Sequence, residues 1–280
     1  MLFLMVNSLA LKLLRSKIKL YGLLVLAFFG LSSFMPAWKL LAEIKVQVKD
    51  METDHLGNVY AVNSSNQLYK YDPNGKLVST LNYAYIGNIT HLDCSNPLEI
   101  YLFYKELNAV VFLDNNLAYR GRMNLSDFGI VQAGAIARTF DNGVWVFDIG
   151  DLQLKKMDRD GTLAQQSGNA LQFSSGSNLA PDYMVDNGKR VFVNDSANGI
   201  LVFDVFANYL KTIPVKGQKD FMVTQEHLYY EAPGALVRYQ LNTLQRDTLL
   251  LPEPNSLQTR LVKEKLYLAQ TNEMRIYSFQ

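Results

Sequence analysis

Beyond about residue 43 the chain alternates short runs of Val, Ile, Leu, Tyr and Phe with Asn, Asp, Gly and Pro, the punctuation of strands and tight turns and not of helices. One run recurs: Val59-Tyr60-Ala61-Val62, Ile100-Tyr101-Leu102-Phe103, Val144-Trp145-Val146-Phe147, Val191-Phe192-Val193, Leu228-Tyr229-Tyr230 and Leu266-Tyr267-Leu268. Measured at the aromatic residue, successive copies lie 41, 44, 47, 37 and 38 residues apart. A second run follows each copy, with Tyr71, Leu113, Met157, Phe203, Tyr239 and Tyr277 at offsets of 10 to 12 residues. Two registers that stay in step through six copies describe one supersecondary unit, repeated.

The joints repeat as well. His55-Leu56-Gly57-Asn58, Asp141-Asn142-Gly143 and Asp186-Asn187-Gly188-Lys189 precede first runs, and Asp72-Pro73-Asn74-Gly75-Lys76 and Asp158-Arg159-Asp160-Gly161 follow second runs. Both sets supply the residues that hairpin turns require at positive φ. A more polar fourth strand such as Leu77-Val78-Ser79-Thr80 completes a unit of about 40 residues and four antiparallel strands, the size of a propeller blade. The last unit stops at Gln280 one strand short, while Glu43-Ile44-Lys45-Val46-Gln47-Val48 is a surplus alternating strand at the other end. The expected fold is therefore all-β: a six-bladed β-propeller of four-stranded antiparallel blades, closed by the N-terminal strand, which would abolish two open sheet edges.

Through Gly57-Asn58-Val59-Tyr60 and Tyr69-Lys70-Tyr71-Asp72-Pro73-Asn74-Gly75-Lys76 the chain resembles the six-bladed propellers of the NHL and TolB-like type; in general style, without a shared motif, it also resembles exported bacterial propellers of an uncharacterised subfamily. The resemblance spans residues 43–280 and implies the fold. It leaves function open among plain binding proteins, sugar dehydrogenases and lactonases or gluconolactonases, in the last of which a divalent cation such as Ca²⁺ activates water.

Charge changes the picture at the N-terminus. The 280 residues carry 27 Lys+Arg against 26 Asp+Glu, yet the first 38 hold Arg15, Lys17 and Lys19 and no acid. From Leu20 to Trp38 nothing is charged, and Gly30-Leu31-Ser32 follows the apolar block. This order is that of a signal peptide, and the uncharged length also suits a retained membrane anchor. The expected organisation is a signal or anchor helix over 1–38 and a propeller over 39–280, exported to the periplasm or cell envelope, with membrane tethering through 20–38 where the segment is kept. Without a basic excess nucleic acid is not an expected partner; a monomeric ring that binds a protein or an envelope component is. The single cysteine, Cys94, is read as a small buried hydrophobe.

Candidate chemistry is sparse. In a propeller the first strand of each blade lines the central channel, so Asp50, Thr90-His91, Ala135, Asp182, Asp220 and Thr259-Arg260 should stand at its mouth. With Arg138, the ligand-binding rim is then Asp50, His91, Arg138, Asp182, Asp220 and Arg260. Three carboxylates there suit a divalent cation, the arrangement a hydrolase of the lactonase kind would use, but solvated rim charges are the preferred reading and no cofactor is expected. His55 and His227 read as turn residues, Asp72, Asp114, Asp158 and Asp204 as turn caps, and Tyr83, Tyr85 and Tyr104 as a carbohydrate-stacking surface at most. No nucleophile elbow, zinc-binding helix or phosphate loop occurs. The preferred function is a non-catalytic binding or scaffold module, with the long connections at 121–134 and 164–180 as its expected site.

Overall fold

Every apolar run of the repeat is a strand in the computed structural model, which describes residues 38–82, 87–172 and 178–279. An opening strand, β1 (Trp38–Lys45), precedes the first blade, which is β2 (Asp50–Thr53), β3 (Val59–Val62), β4 (Gln67–Tyr71) and β5 (Leu77–Asn82). Blade 2 is β6 (His91–Asp93), β7 (Glu99–Tyr104), β8 (Ala109–Asp114) and β9 (Tyr119–Asn124). Blade 3 is β10 (Ala133–Arg138), β11 (Val144–Asp148), β12 (Gln153–Met157) and β13 (Leu163–Gln166), and blade 4 is β14 (Tyr183–Asp186), β15 (Arg190–Asp195), β16 (Gly199–Asp204) and β17 (Tyr209–Ile213). Blade 5 is β18 (Met222–Val223), β19 (His227–Ala232), β20 (Ala235–Gln240) and β21 (Arg246–Leu250). The last blade takes β22 (Gln258–Val262), β23 (Lys265–Gln270) and β24 (Glu273–Phe279) and is completed by β1, in the order β1-β24-β23-β22. The protein is thus a six-bladed β-propeller of antiparallel four-stranded sheets.

The closing strand lies upstream of where alternation alone puts it. It pairs Trp38 with Phe279 through Lys45 with Glu273, so Trp38 belongs to the ring and not to the preceding segment. Val46, Gln47 and Val48 instead lead across to blade 1; on the way Val48 N–H donates to Thr271 O in the β23–β24 turn at 3.0 Å, and its side chain is buried. An outermost strand has one face in water, so Leu40 and Leu41 are exposed and a register shift at Leu41 hides the true alternation. The expected signal or anchor segment otherwise lies outside the described residues, and among the described residues no helix is long and apolar enough to cross a membrane.

The cores lie between blades. One cluster joins Tyr60, Leu68, Leu102, Tyr104 and Val111 of blades 1 and 2, and another joins Trp145, Phe147, Val193 and Phe203 of blades 3 and 4. Large rings fill the wedge between neighbouring twisted sheets, as the sequence suggests. Tyr104 is buried there and presents no surface for a sugar, while Tyr83 and Tyr85 lie outside the described residues. Cys94 is buried in the same layer, and burial pushes its thiol up. Between blades 3 and 4 the innermost strands approach closely because β10 reads Ala-Gly-Ala-Ile-Ala: a Cβ on Gly134 would meet Pro181 O at 2.6 Å.

The turns reuse one geometry. Asp72 Oδ1 accepts the N–H groups of Asn74 and Lys76, Asp114 those of Asn116 and Ala118, and Asp204 those of Phe206 and Asn208. In blade 3 Asp160, not Asp158, accepts from the Thr162 N–H. The fourth turn position is left-handed at Gly75, Leu117, Gly161 and Ala207, and in blade 5, whose turn is one residue longer, the fifth is, at Leu244. Of the two long connections, the first contains a 3-10 turn over Leu125–Phe128, and the second one over Ala170–Gln172 ahead of residues 173–177, which lie outside the described residues.

Candidate functional site: the central channel

The six innermost strands, β2, β6, β10, β14, β18 and β22, surround the axis. Alternate residues of each turn inward. This places Asp50 and Glu52 from β2, His91 and Asp93 from β6, Tyr183 and Val185 from β14, Phe221 and Val223 around β18, and Arg260 and Val262 from β22 along cavities in the ring.

At mid-depth an ion-pair network crosses the channel. Arg260, only 2% exposed, donates from Nε to Glu52 Oε2 at 2.8 Å, from Nη2 to Glu52 Oε1 at 2.6 Å and from Nη1 to Asp220 Oδ1 at 3.0 Å. Gln258 donates to Asp220 Oδ2 at 2.6 Å and accepts the Met51 N–H at 2.7 Å, and Tyr183 donates to Glu52 Oε1 at 3.3 Å. Tyr183 stacks edge-on between His91 and Phe221, with ring centroids 4.9 and 5.2 Å away. Burial pushes the Glu52 carboxyl above the usual range even against Arg260, whereas for Asp220 the guanidinium and the Gln258 amide outweigh burial and hold the carboxyl below it. Arg260 is held firmly charged because its two carboxylate partners outweigh its own burial.

The sequence-derived rim is thereby redistributed. Asp220 and Arg260 are not solvated rim charges but buried partners, and His91 is buried beside them. Asp50 and Asp182 do sit near the mouth formed by the connections between blades, lining with Thr90, His91, Tyr183, Lys219 and Asp220 a cavity of about 180 Å³. Asp182 accepts from Asn194 Nδ2 at 2.8 Å, yet burial leaves its carboxyl above the ordinary range. Arg138 ends its strand at the other mouth: its N–H donates to Asp93 Oδ2 at 2.7 Å and its guanidinium bonds Asn142 and lies over Tyr101. Among the described residues no three His, Cys, Asp or Glu side chains are arranged to hold a metal ion. Glu52 was missed by sequence reasoning; its signal was the alternation Asp50-Met51-Glu52 on an innermost strand, which turns both acids to the axis.

The second mouth is the larger. A cavity of about 400 Å³ descends to Glu52, His91, Tyr183 and Arg260, and is ringed by His55, Ser95, Thr224 and Lys263 in the first hairpins of their blades. His55 stays exposed in its turn, whereas His227 opens β19. On this hairpin face Leu56, Leu98 and Phe140 project from the first hairpins of blades 1, 2 and 3, and Phe206 from the outer hairpin of blade 4. Phe140 is 84% exposed, and Phe206 shares with it a groove of about 230 Å³ floored by Trp145, Lys156 and Gln165. The Gln165 Oε1 buried there has no hydrogen-bond partner.

No protein-family model matches the chain, and no curated protein matches it. Solved structures do. Virginiamycin B lyase from Staphylococcus aureus aligns at a TM-score of 0.61 with 10% identity, over 87% of this chain and 100% of that one. BamB from Moraxella catarrhalis aligns at 0.53 with 10% identity over the same shares. A putative exported protein from Bacteroides fragilis aligns at 0.58 with 11% identity, over 89% of this chain and 96% of that one. These likenesses establish the propeller fold.

Proposed function

We propose that the chain is an exported, non-catalytic propeller that binds a protein partner or envelope component on its hairpin face. The observation that carries this reading is the exposure of Phe140, Phe206, Leu98 and Leu56 on turns of that one face, around a recessed cavity. Large apolar side chains held out on rigid hairpins gain free energy only when something covers them. Export is supported by the cationic-then-apolar N-terminal order and is in keeping with the likeness to the B. fragilis chain described as a putative exported protein. The channel chemistry fits a binding role, since Asp220 is already engaged by Arg260 and Gln258 and is not open to a metal ion together with Asp50 and Asp182.

The test is cross-linking in intact cells followed by purification from envelope fractions. A defined partner should be recovered with the native chain and reduced about tenfold or more by Phe140→Asp combined with Phe206→Asp, since hot-spot aromatics carry about 2 kcal/mol or more each. Recovery of the chain alone, or of the same partner with the variant, would refute the reading.

A further inference from the structure

The cavity on the hairpin face has a chemistry of its own. His91 and Asp93, two residues apart on β6, share the face turned into it, while Leu92 between them packs into the core between blades 1 and 2. His91 is only 8% exposed, and among the described residues its imidazole makes ring contact with Tyr183 but no hydrogen bond. Its ring nitrogens, not engaged by a hydrogen bond within the described residues, can therefore bond a group that enters the cavity. Asp93 accepts the Ser95 N–H on Oδ1 at 2.9 Å and the Arg138 N–H on Oδ2 at 2.7 Å, and among the described residues it forms no ion pair.

The other charges around the cavity do not neutralise it. Arg260 is engaged by Glu52 and Asp220, and the Arg138 guanidinium turns to Asn142. Asp54 is filled by the N–H groups of Leu56 and Asn58, the Asn58 amide and the Tyr60 hydroxyl. Asp186, held by the Trp145 indole and the Gly188 N–H, has its carboxyl pushed up by burial and further by the charge of Asp93. Lys263 stands exposed at the mouth. Between the acids and the floor the lining is apolar: Val185, Phe221, Val223 and Val262. The cavity therefore combines an acceptor at His91, an unpaired carboxylate at Asp93 and an apolar wall, within a volume of about 400 Å³ that suits a small ligand or one inserted side chain.

We infer that this cavity binds one ammonium or guanidinium group carried on an apolar body, with Asp93 as its counter-ion, His91 accepting an N–H, and the valines and Phe221 covering the body. The inference rests on the hairpin face being the binding face. The chemistry is shared by a free amine and by a Lys or Arg side chain of a partner, and the test separates them.

The full chain is titrated calorimetrically with phenethylammonium, with 2-phenylethanol as its uncharged counterpart, and with a capped Gly-Arg-Leu-Gly peptide against its Gln-for-Arg form. At least one cationic probe should bind one-to-one, about tenfold or more tighter than its uncharged counterpart, and the tighter cationic probe names the source. Asp93→Asn and His91→Phe should each weaken it about tenfold, and Val223→Phe, which fills the cavity, should abolish binding with an unchanged circular dichroism spectrum. The inference is overturned if neither cationic probe binds, if the uncharged counterparts bind equally well, or if Asp93→Asn and His91→Phe leave affinity unchanged. Failure of the probes while Phe140→Asp with Phe206→Asp still disrupts a partner removes the cavity inference and leaves the hairpin-face reading standing; probe binding without any recovered partner does the reverse.

Discussion

Arg260 shows how one side chain sets the character of the channel. Its guanidinium neutralises two buried carboxylates, so replacing it with an apolar residue of similar length strands both. Arg260→Met should cost about 3–5 kcal/mol, read as a fall in melting temperature, because breaking a buried pair leaves uncompensated charge. The pH dependence gives the cause away. In the native chain the depressed Asp220 contributes stability that is lost as pH falls through its folded value, while the raised Glu52 contributes stability that is lost as pH rises through its own, so the two oppose each other. In Arg260→Met the lowering influence of the guanidinium is gone from both, burial should then hold both folded values above the ordinary range, and stability should climb as pH falls through those raised values toward the ordinary carboxylate range. A variant whose stability is flat across that range would contradict the network. The sequence identified Asp220 and Arg260 as channel residues but not their depth. Spacing from a repeat places a residue along its strand, whereas whether it meets water depends on what the neighbouring blade contributes, here Glu52, some 200 residues away.

At the scale of elements, the repeat was legible because both its registers and its turns are dictated locally. The inward and outward alternation of each strand and the turn-capping Asp residues need no partner elsewhere to be recognised. Blade 5 departs from the rule and still closes its hairpin, with a turn one residue longer: Gln240 replaces the aspartate and accepts from the N–H groups of Asn242 and Thr243. Its left-handed position is filled by Leu244 at φ 63°, a side chain that is exposed and gains little from packing. A left-handed non-glycine residue costs about 1–2 kcal/mol, partly offset by the lower chain entropy it brings to the unfolded state. Leu244→Gly should therefore stabilise the protein by about 0.5–1 kcal/mol in urea unfolding, and a decrease of similar size would show that Leu244 is held by contacts beyond the turn. The boundary of β1 was less legible for a related reason. Outermost strands face water on one side, and a bulge at Leu41 breaks the alternation that marks the other strands.

Across the whole molecule, one pairing decides whether six sheets form a ring. β1 meets β24 across more than 220 residues of sequence, from Trp38–Phe279 to Lys45–Glu273, so closure is the least local contact in the fold and bears the largest loop entropy. Two sets of interactions offset that cost. Arg275 on β24 reaches Glu43 of β1, Glu273 of its own strand and Glu253 in the connection from blade 5, joining three segments at the seam. Ile44 of β1 is buried against Met51, Val59 and Tyr71 of blade 1, so the strand that completes blade 6 also seals the wedge to its neighbour. Burying Ile44 alone is worth about 1.5–3 kcal/mol, a sizeable share of a net stability of about 5–15 kcal/mol. Deleting residues 38–45 should thus expose the edge of β24, uncover the wedge, and replace a single sharp thermal transition by a broad one at lower temperature. Adding those residues back as a separate peptide should restore the sharp transition in a saturable way, since the strand needs only its ladder and its apolar face, not its covalent connection. A truncated chain that melts as sharply and at the same temperature as the native one would show that the ring is held by the wedges between blades alone.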